Sequence, residues 1–172
     1  MAKGLPRSLS RGDPREQELV KQSIRMENLA VSMTDPGSAT GWGTAVISGL
    51  PEGFVLLLGA SIQFEAAHSG GGNITDTFDG DFAVGSSPTS DNTLDSGEAD
   101  VISSTATVTA SGGTSTGNSG VSTSSEMGVF DNTDGSLELN LNVLLDDGSI
   151  NGAEDLVVNG VLHVAYTVIG DD

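Results

Sequence analysis

The chain predicts an all-β fold: an antiparallel sandwich or barrel preceded by a basic, partly helical N-terminal arm. Three observations carry this. Leu137-Glu-Leu-Asn-Leu-Asn-Val143 alternates apolar and polar side chains strictly, the period of a strand with one face in the core. Turn dipeptides recur between such runs, at Asp35-Pro-Gly, Leu50-Pro-Glu-Gly, Asn132-Thr-Asp-Gly and Asp146-Asp-Gly. All six Lys and Arg residues fall within the first 25 positions, which splits the chain electrically.

The arm comes first. Lys3, Arg7, Arg11, Arg15, Lys21 and Arg25 share it with three acids, Asp13, Glu16 and Glu18, for a net +3. From Met26 onward 21 acids meet no Lys or Arg, so the body carries −21 of the overall −18. We divide the chain into an arm, 1–26, and an acidic body, 27–172. Asp13 can cap a helix, Pro14 suits its first position and Glu16 completes a capping pattern. Leu19, Val20 and Ile24 then form a narrow apolar stripe, and a helix this short needs a partner surface. The arm is therefore expected to dock on an acidic neighbour through its bases and that stripe.

The body reads as eight or nine strands. An early strand turns Leu29, Val31 and Met33 inward, and Thr44 to Leu50 is a second. In Phe54-Val-Leu-Leu-Leu58, alternation puts Phe54, Leu56, Leu58, Ala60, Ile62 and Phe64 on the core face. Val55 and Leu57 then need cover, from a loop or arm over a central strand or from a second subunit. Weaker strands run Phe78 to Val84, Ala99 to Thr109 and Glu126 to Phe130. Ala110 to Ser125 is low in complexity and reads as an exposed excursion. The last strand, Leu156 to Ile169, turns Leu162, Val164, Tyr166 and Val168 inward and His163, Ala165 and Thr167 outward.

Composition excludes several functions. Without cysteine there are no disulfides or thiolate metal sites. The charge argues against direct nucleic-acid and membrane binding, no apolar run is long enough to span a bilayer, and the start lacks a signal-peptide core. His68, before Ser69-Gly-Gly-Gly72, and His163 could each join a Ser and an Asp, but Ser and Asp are so abundant that such triples carry no signal. Asp79 and Asp81 are not spaced as cleft-flanking carboxylates, and Trp42 alone is thin lining for a sugar. The Asp76–Asp81 and Asp131–Asp134 loops, and Asp146-Asp147 with Glu154-Asp155, could offer oxygens to calcium, yet none has the 12-residue calcium-loop spacing. The sequon at Asn73 is a pattern only. No catalytic residue and no cofactor are expected, and the chain does not read as an enzyme.

Two stretches, Phe78-Asp-Gly-Asp-Phe-Ala-Val-Gly-Ser-Ser-Pro-Thr-Ser-Asp-Asn-Thr-Leu-Asp95 and Glu98-Ala-Asp-Val-Ile-Ser-Ser-Thr-Ala106, resemble small structural proteins of tailed bacteriophages. Asn142-Val-Leu-Leu-Asp-Asp147, Leu156-Val-Val-Asn-Gly160 and Tyr166-Thr-Val-Ile-Gly-Asp-Asp172 resemble the same group. The resemblance spans Leu29 to Asp172 and implies a head decoration, or cement, protein with a jelly-roll-like sandwich. It further implies a virion location on the capsid surface after synthesis in the host cytoplasm, the major capsid protein as partner, and a homotrimer. Contact residues expected on this reading are Lys3, Arg7, Arg11, Arg15, Leu19, Val20, Ile24 and Arg25, with Val55 and Leu57 at a subunit interface. The competing expectation is a tail-associated or lectin-like carbohydrate-binding sandwich that uses calcium.

Overall fold

The computed structural model describes residues 19–37, 40–119 and 128–170. Nine strands form it: β1 Val20–Thr34, β2 Gly41–Gly49, β3 Gly53–His68, β4 Asp79–Gly85, β5 Ile102–Ser111, β6 Thr114–Ser119, β7 Val129–Asn132, β8 Glu138–Leu145 and β9 Glu154–Gly170. A 3-10 turn, Ser96–Glu98, interrupts the long β4–β5 connection. No described helix is long and apolar enough to cross a membrane.

All strands belong to one curled antiparallel sheet, in the order β6-β5-β4-β8-β2-β1-β9-β3-β7, and a further β3–β6 pairing closes it on itself. Two long seams dominate: β3 with β9 from Phe54↔Gly170 to His68↔Leu156, and β1 with β9 from Val20↔Tyr166 to Met33↔Glu154. The joins between the two halves are narrow. β1 meets β2 only over Ser32–Thr34, and β5 meets β6 only at the hairpin Ala110-Ser111/Thr114-Ser115.

The core lies inside the curl, where alternate residues converge: Val31 and Met33, Ile62 and Phe64, Phe82 and Val84, Leu139, Leu141, Val143 and Leu145, Leu156, Leu162 and Val164. The rings of Phe64 and Phe82 meet edge-to-face with centroids 4.8 Å apart, tying the two halves together. β8 is buried on both faces, because residues 86–101 of the β4–β5 connection fold across its outside. Asn142, fully buried there, fills its hydrogen-bonding capacity. Its Oδ1 accepts from Thr44 Oγ1 (2.8 Å) and Thr89 N (2.9 Å), and its Nδ2 donates to Ser87 O (2.9 Å) and Glu98 O (2.8 Å).

Several expectations are corrected. Residues 20–25 are strand, not helix: each pairs with β9, from Val20↔Tyr166 to Arg25↔Val161. A short helix is marginal by itself, whereas pairing along β9 satisfies every backbone group facing that strand. The capping residues Asp13 to Glu16 lie outside the described residues. The sheet takes in 20–26, so the strand runs straight through the expected 26/27 boundary. In β3 the expected faces are reversed over 54–58: Val55 (0% exposed) and Leu57 (3%) are core, while Leu58 is 43% exposed. A bulge between Leu57 and Gly59 resets the alternation, so Ala60, Ile62 and Phe64 point inward as expected. Part of the expected Ala110–Ser125 excursion is strand, since β6 pairs with β3 from Ala67↔Thr114 to Ile62↔Ser119.

Candidate docking surface

Strand register builds the outer face of β1, β9, β3 and β7 row by row. Leu56 pairs with Val129 on one side and Thr167 on the other, and Leu19 precedes Val20↔Tyr166 beside that row. Leu58 and Ile169 join it at bulges, Leu58 at the Leu57/Gly59 shift and Ile169 where Phe54↔Gly170 steps to Val55↔Val168. Leu19 (49%), Leu58 (43%), Val129 (51%) and Ile169 (43%) stay exposed, with Phe54 and Leu56 half-buried among them. Within this apolar end the Thr167 hydroxyl is shielded and has no hydrogen-bond partner among the described residues. Val46, also exposed, lies apart on β2.

Towards the middle of the face the rows become small and cationic. Lys21, Ala165 and Gly59 form one row, and Ser23, His163 and Ser61 the next. Arg25, Val161 and Gln63 follow, with Arg25 Nε 3.2 Å from Glu27 Oε1. Lys21 and Arg25 are the only Lys or Arg after residue 18, and both point outward here. Acids lie on this face too, Glu27 beside Arg25, Glu65 on β3, Asp131 on β7 and Asp155 on β9, all outside the rows of Lys21 and Ser23; others sit on the cover over β8 (Asp91, Asp95, Glu98 and Asp100) and near the β4–β8 end (Asp79, Asp81 and Asp146). β3 spans ~50 Å and three strands ~14 Å, so the open face offers roughly 700 Å², close to the ~800 Å² one partner contributes to a standard interface.

Of the expected contact residues, Lys3, Arg7, Arg11 and Arg15 lie outside the described residues. Leu19 and Arg25 are exposed on this face. Val20 and Ile24 pack against the core instead, so Leu19, Val20 and Ile24 do not share a surface stripe. Val55 and Leu57 are interior and offer nothing to a second subunit. Ser23, Leu58, Val129, His163 and Ile169 were not singled out as contacts, and Lys21 was counted only among the bases of the arm. The signal was available as period-2 alternation in Val20-Lys-Gln-Ser-Ile-Arg-Met26, where Lys21, Ser23 and Arg25 share a face.

The residues weighed for chemistry have structural work. His68 uses both ring nitrogens: Nε2 lies 3.0 Å from Asp76 Oδ1, and Nδ1 accepts from Gly70 N at 3.1 Å. Glu154, with a side chain 2% exposed, sits 3.7 Å from that Nδ1 in a cradle made by the Ser69–Ile74 loop. Its carboxylate accepts from Gly71 N (2.7 Å), Asn73 N (2.6 Å), Ile74 N (2.8 Å) and Ser69 Oγ (3.1 Å). Burial alone would push this carboxyl up, but the N–H groups of Ile74, Asn73 and Gly71 and the Ser69 hydroxyl outweigh it and hold it down at about 2. The Asn73 side chain is itself engaged, donating to Ala153 O at 3.0 Å.

The Asp loops mostly close their own turns. Asp131 accepts from Thr133, and Asp134 from Ser136. Among the described residues no three His, Asp or Glu side chains come together in a way that could hold a metal ion. Burial, then the charges of Asp146 and Asp79, raise the Asp81 carboxyl. A raised folded value makes Asp81 stabilising only where it is protonated, below the ordinary 3.8, and that contribution is lost as pH rises. Asp81→Asn should therefore raise the Tm at pH 7, and NaCl should raise the wild-type Tm more than that of the variant. Thermal melts across a salt series check both; an unchanged Tm in the variant would exclude a repulsive cluster.

No known protein family, curated protein or solved structure matches the chain.

Proposed function

We propose that this chain is a structural protein of a virion: a decoration, or cement, protein of a tailed-bacteriophage head that binds the outer capsid surface and stabilises it. The observation that carries the reading is the segregation of its surface. One broad sheet face, uncovered among the described residues, is apolar at one end and carries Lys21 and Arg25 beside it, on a strongly acidic body. Such a face can lie against a large partner while the acidic remainder keeps the particle exterior soluble.

Strand order supports a jelly roll. Around the closed sheet the order is β1-β9-β3-β6-β5-β4-β8-β2, which on this reading divides into layers β1-β9-β3-β6 and β2-β8-β4-β5. Consecutive strands β1–β2, β2–β3 and β3–β4 alternate between the layers, as in a pair of Greek keys wound into a roll. The proposed partner is the major capsid protein, and the proposed assembly is a homotrimer made in the host cytoplasm. Sedimentation of the free protein tests the trimer separately: a monomer at micromolar concentration removes it without touching capsid binding.

Cosedimentation of the full chain with particles lacking it tests the reading. Leu58→Asp with Val129→Asp should weaken decoration at least tenfold, since docking would then bury two carboxylates in an apolar contact. Both side chains are exposed, so the variant should melt near the wild type. Deleting residues 1–18, which hold four of the six bases, should weaken binding further and make it less salt-sensitive. If the wild type fails to bind, or the double variant binds equally well, the reading is wrong.

A further inference from the structure

The same face carries a depression of about 370 Å³, lined by Lys21, Ser23, Gly59, Ser61, His163 and Ala165 among others. It exists because small residues stand in adjacent rows of three strands. Gly59 and Ala165 sit opposite each other, and the bulge after Leu57 places Gly59 there. A Cβ on Gly59 would meet nothing within 4 Å, so the missing side chain opens onto the surface and not into the core.

The polar groups around the depression are one ammonium, the hydroxyls of Ser23 and Ser61, the His163 imidazole and the Gln22 amide. Lys21 brings an ammonium. Ser23 Oγ and His163 Nδ1 are 2.8 Å apart, which fixes the ring and leaves Nε2 unbound by any described residue. Ser61 adds a hydroxyl across from His163, and Arg25 stands one row beyond. The facing groups from β1 and β3 are thus Lys21, Ser23, Arg25, Gly59, Ser61 and Gln63, with Glu27 tied to Arg25. In a chain with 24 acids, Lys21 lines this hollow with no carboxylate among its lining residues, while Arg25 lines the neighbouring depression with Glu27, Asn28 and Asn159. Charge-assisted hydrogen bonds from such a set fit a carboxylate better than a neutral or cationic group.

We propose that the depression is a socket for a carboxylate side chain on a partner protein surface, with the apolar end of the face seating the hydrophobic residues around it. The occupant follows from charge complementarity and from continuity: Gly59 of the socket directly follows Leu58 of the apolar end. The partner's identity as a capsid rests on the function proposed above; the socket's preference for a carboxylate does not.

Two measurements on the full chain test it. In the first, NMR spectra are followed while phenylacetate, a carboxylate on an apolar body, is added, with phenethylamine as the cation of similar shape. Phenylacetate should shift Lys21, Ser23, Gly59, Ser61 and His163 together. The amine should not, and Gly59→Leu, which fills the hollow without entering the core, should abolish the response. In the second, Gly59→Leu and Lys21→Glu should each weaken decoration of particles at least tenfold, while Lys21→Arg stays within about threefold. Equal shifts from the amine, no shift from phenylacetate, or undiminished decoration by Gly59→Leu would overturn the socket. So would a drop in solution mass of Gly59→Leu, which would make a second copy the occupant. Phenylacetate binding by a wild type that ignores particles would uphold the socket and overturn the docking reading.

Discussion

Replacing Glu154 with alanine should destabilise the protein by about 3–5 kcal/mol, the largest effect expected of any single substitution outside the apolar core. The change leaves the N–H groups of Gly71, Asn73 and Ile74 and the Ser69 hydroxyl without their acceptor; the Ile74 contact is buried and the other three are part-buried. Glu154→Gln keeps the shape but loses the charge, and should cost roughly 1.5–3 kcal/mol. The pH dependence follows from the same contacts. The folded carboxyl is held at about 2 against an ordinary 4.5, so its contribution is complete above 4.5 and lost as pH falls towards 2. Denaturant titrations between pH 7 and 2 should show the wild type losing stability over that window and Glu154→Gln losing less. Parallel curves would mean that the cradle does not select the charged form.

Asn142→Ala should cost about 3–4 kcal/mol by leaving Thr89 N, Ser87 O and Glu98 O unpaired under the cover on β8. The loss should be local before it is global. Amides of residues 86–101 should exchange faster, while those of the β3–β9 seam keep their protection. Asn142→Asp is the sharper variant: it retains the acceptor for Thr44 and Thr89 but turns a carboxylate oxygen toward two carbonyls beside Glu98 and Asp100. Uniform acceleration of exchange across the whole sheet would show that the cover is not a separate unit.

Much of the fold was legible where alternation is local and unbroken. The inward rows of β8 and β9 followed directly from period 2, and the outward position of His163 came with them, but burial of the other face of β8 at Asn140 and Asn142 did not, because the cover comes from the distant 86–101 connection. Legibility failed where a non-local event intervenes. One bulge after Leu57 exchanged the faces of Phe54–Leu58, and no single residue announces it. Val20–Arg25 carry plausible helical signals that pairing with a strand some 140 residues away overrides. β6 is built of Thr, Ser, Gly and Asn, with no apolar alternation to reveal it. The Glu154 cradle escaped because its ligands are backbone N–H groups; Ser69-Gly-Gly-Gly read only as a flexible loop. The proposed docking face was half visible: Lys21 and Arg25 were seen, but assigned to a helix.

The position of β9 has a consequence for synthesis. It lies between β1 and β3, strands made more than 80 residues earlier, and it supplies both long seams of the sheet. Neither early strand can complete its ladder while the ribosome is still reading the segment before Glu154. Folding must therefore wait for strand insertion between two distant partners, a high-contact-order step on the millisecond-to-second scale. Until then β1 and β3 present open edges in a crowded cell. Lys21 and Arg25 on β1, and the bulges at Met26/Leu29 and Leu57/Gly59, are features that discourage such edges from pairing with one another in neighbouring nascent chains.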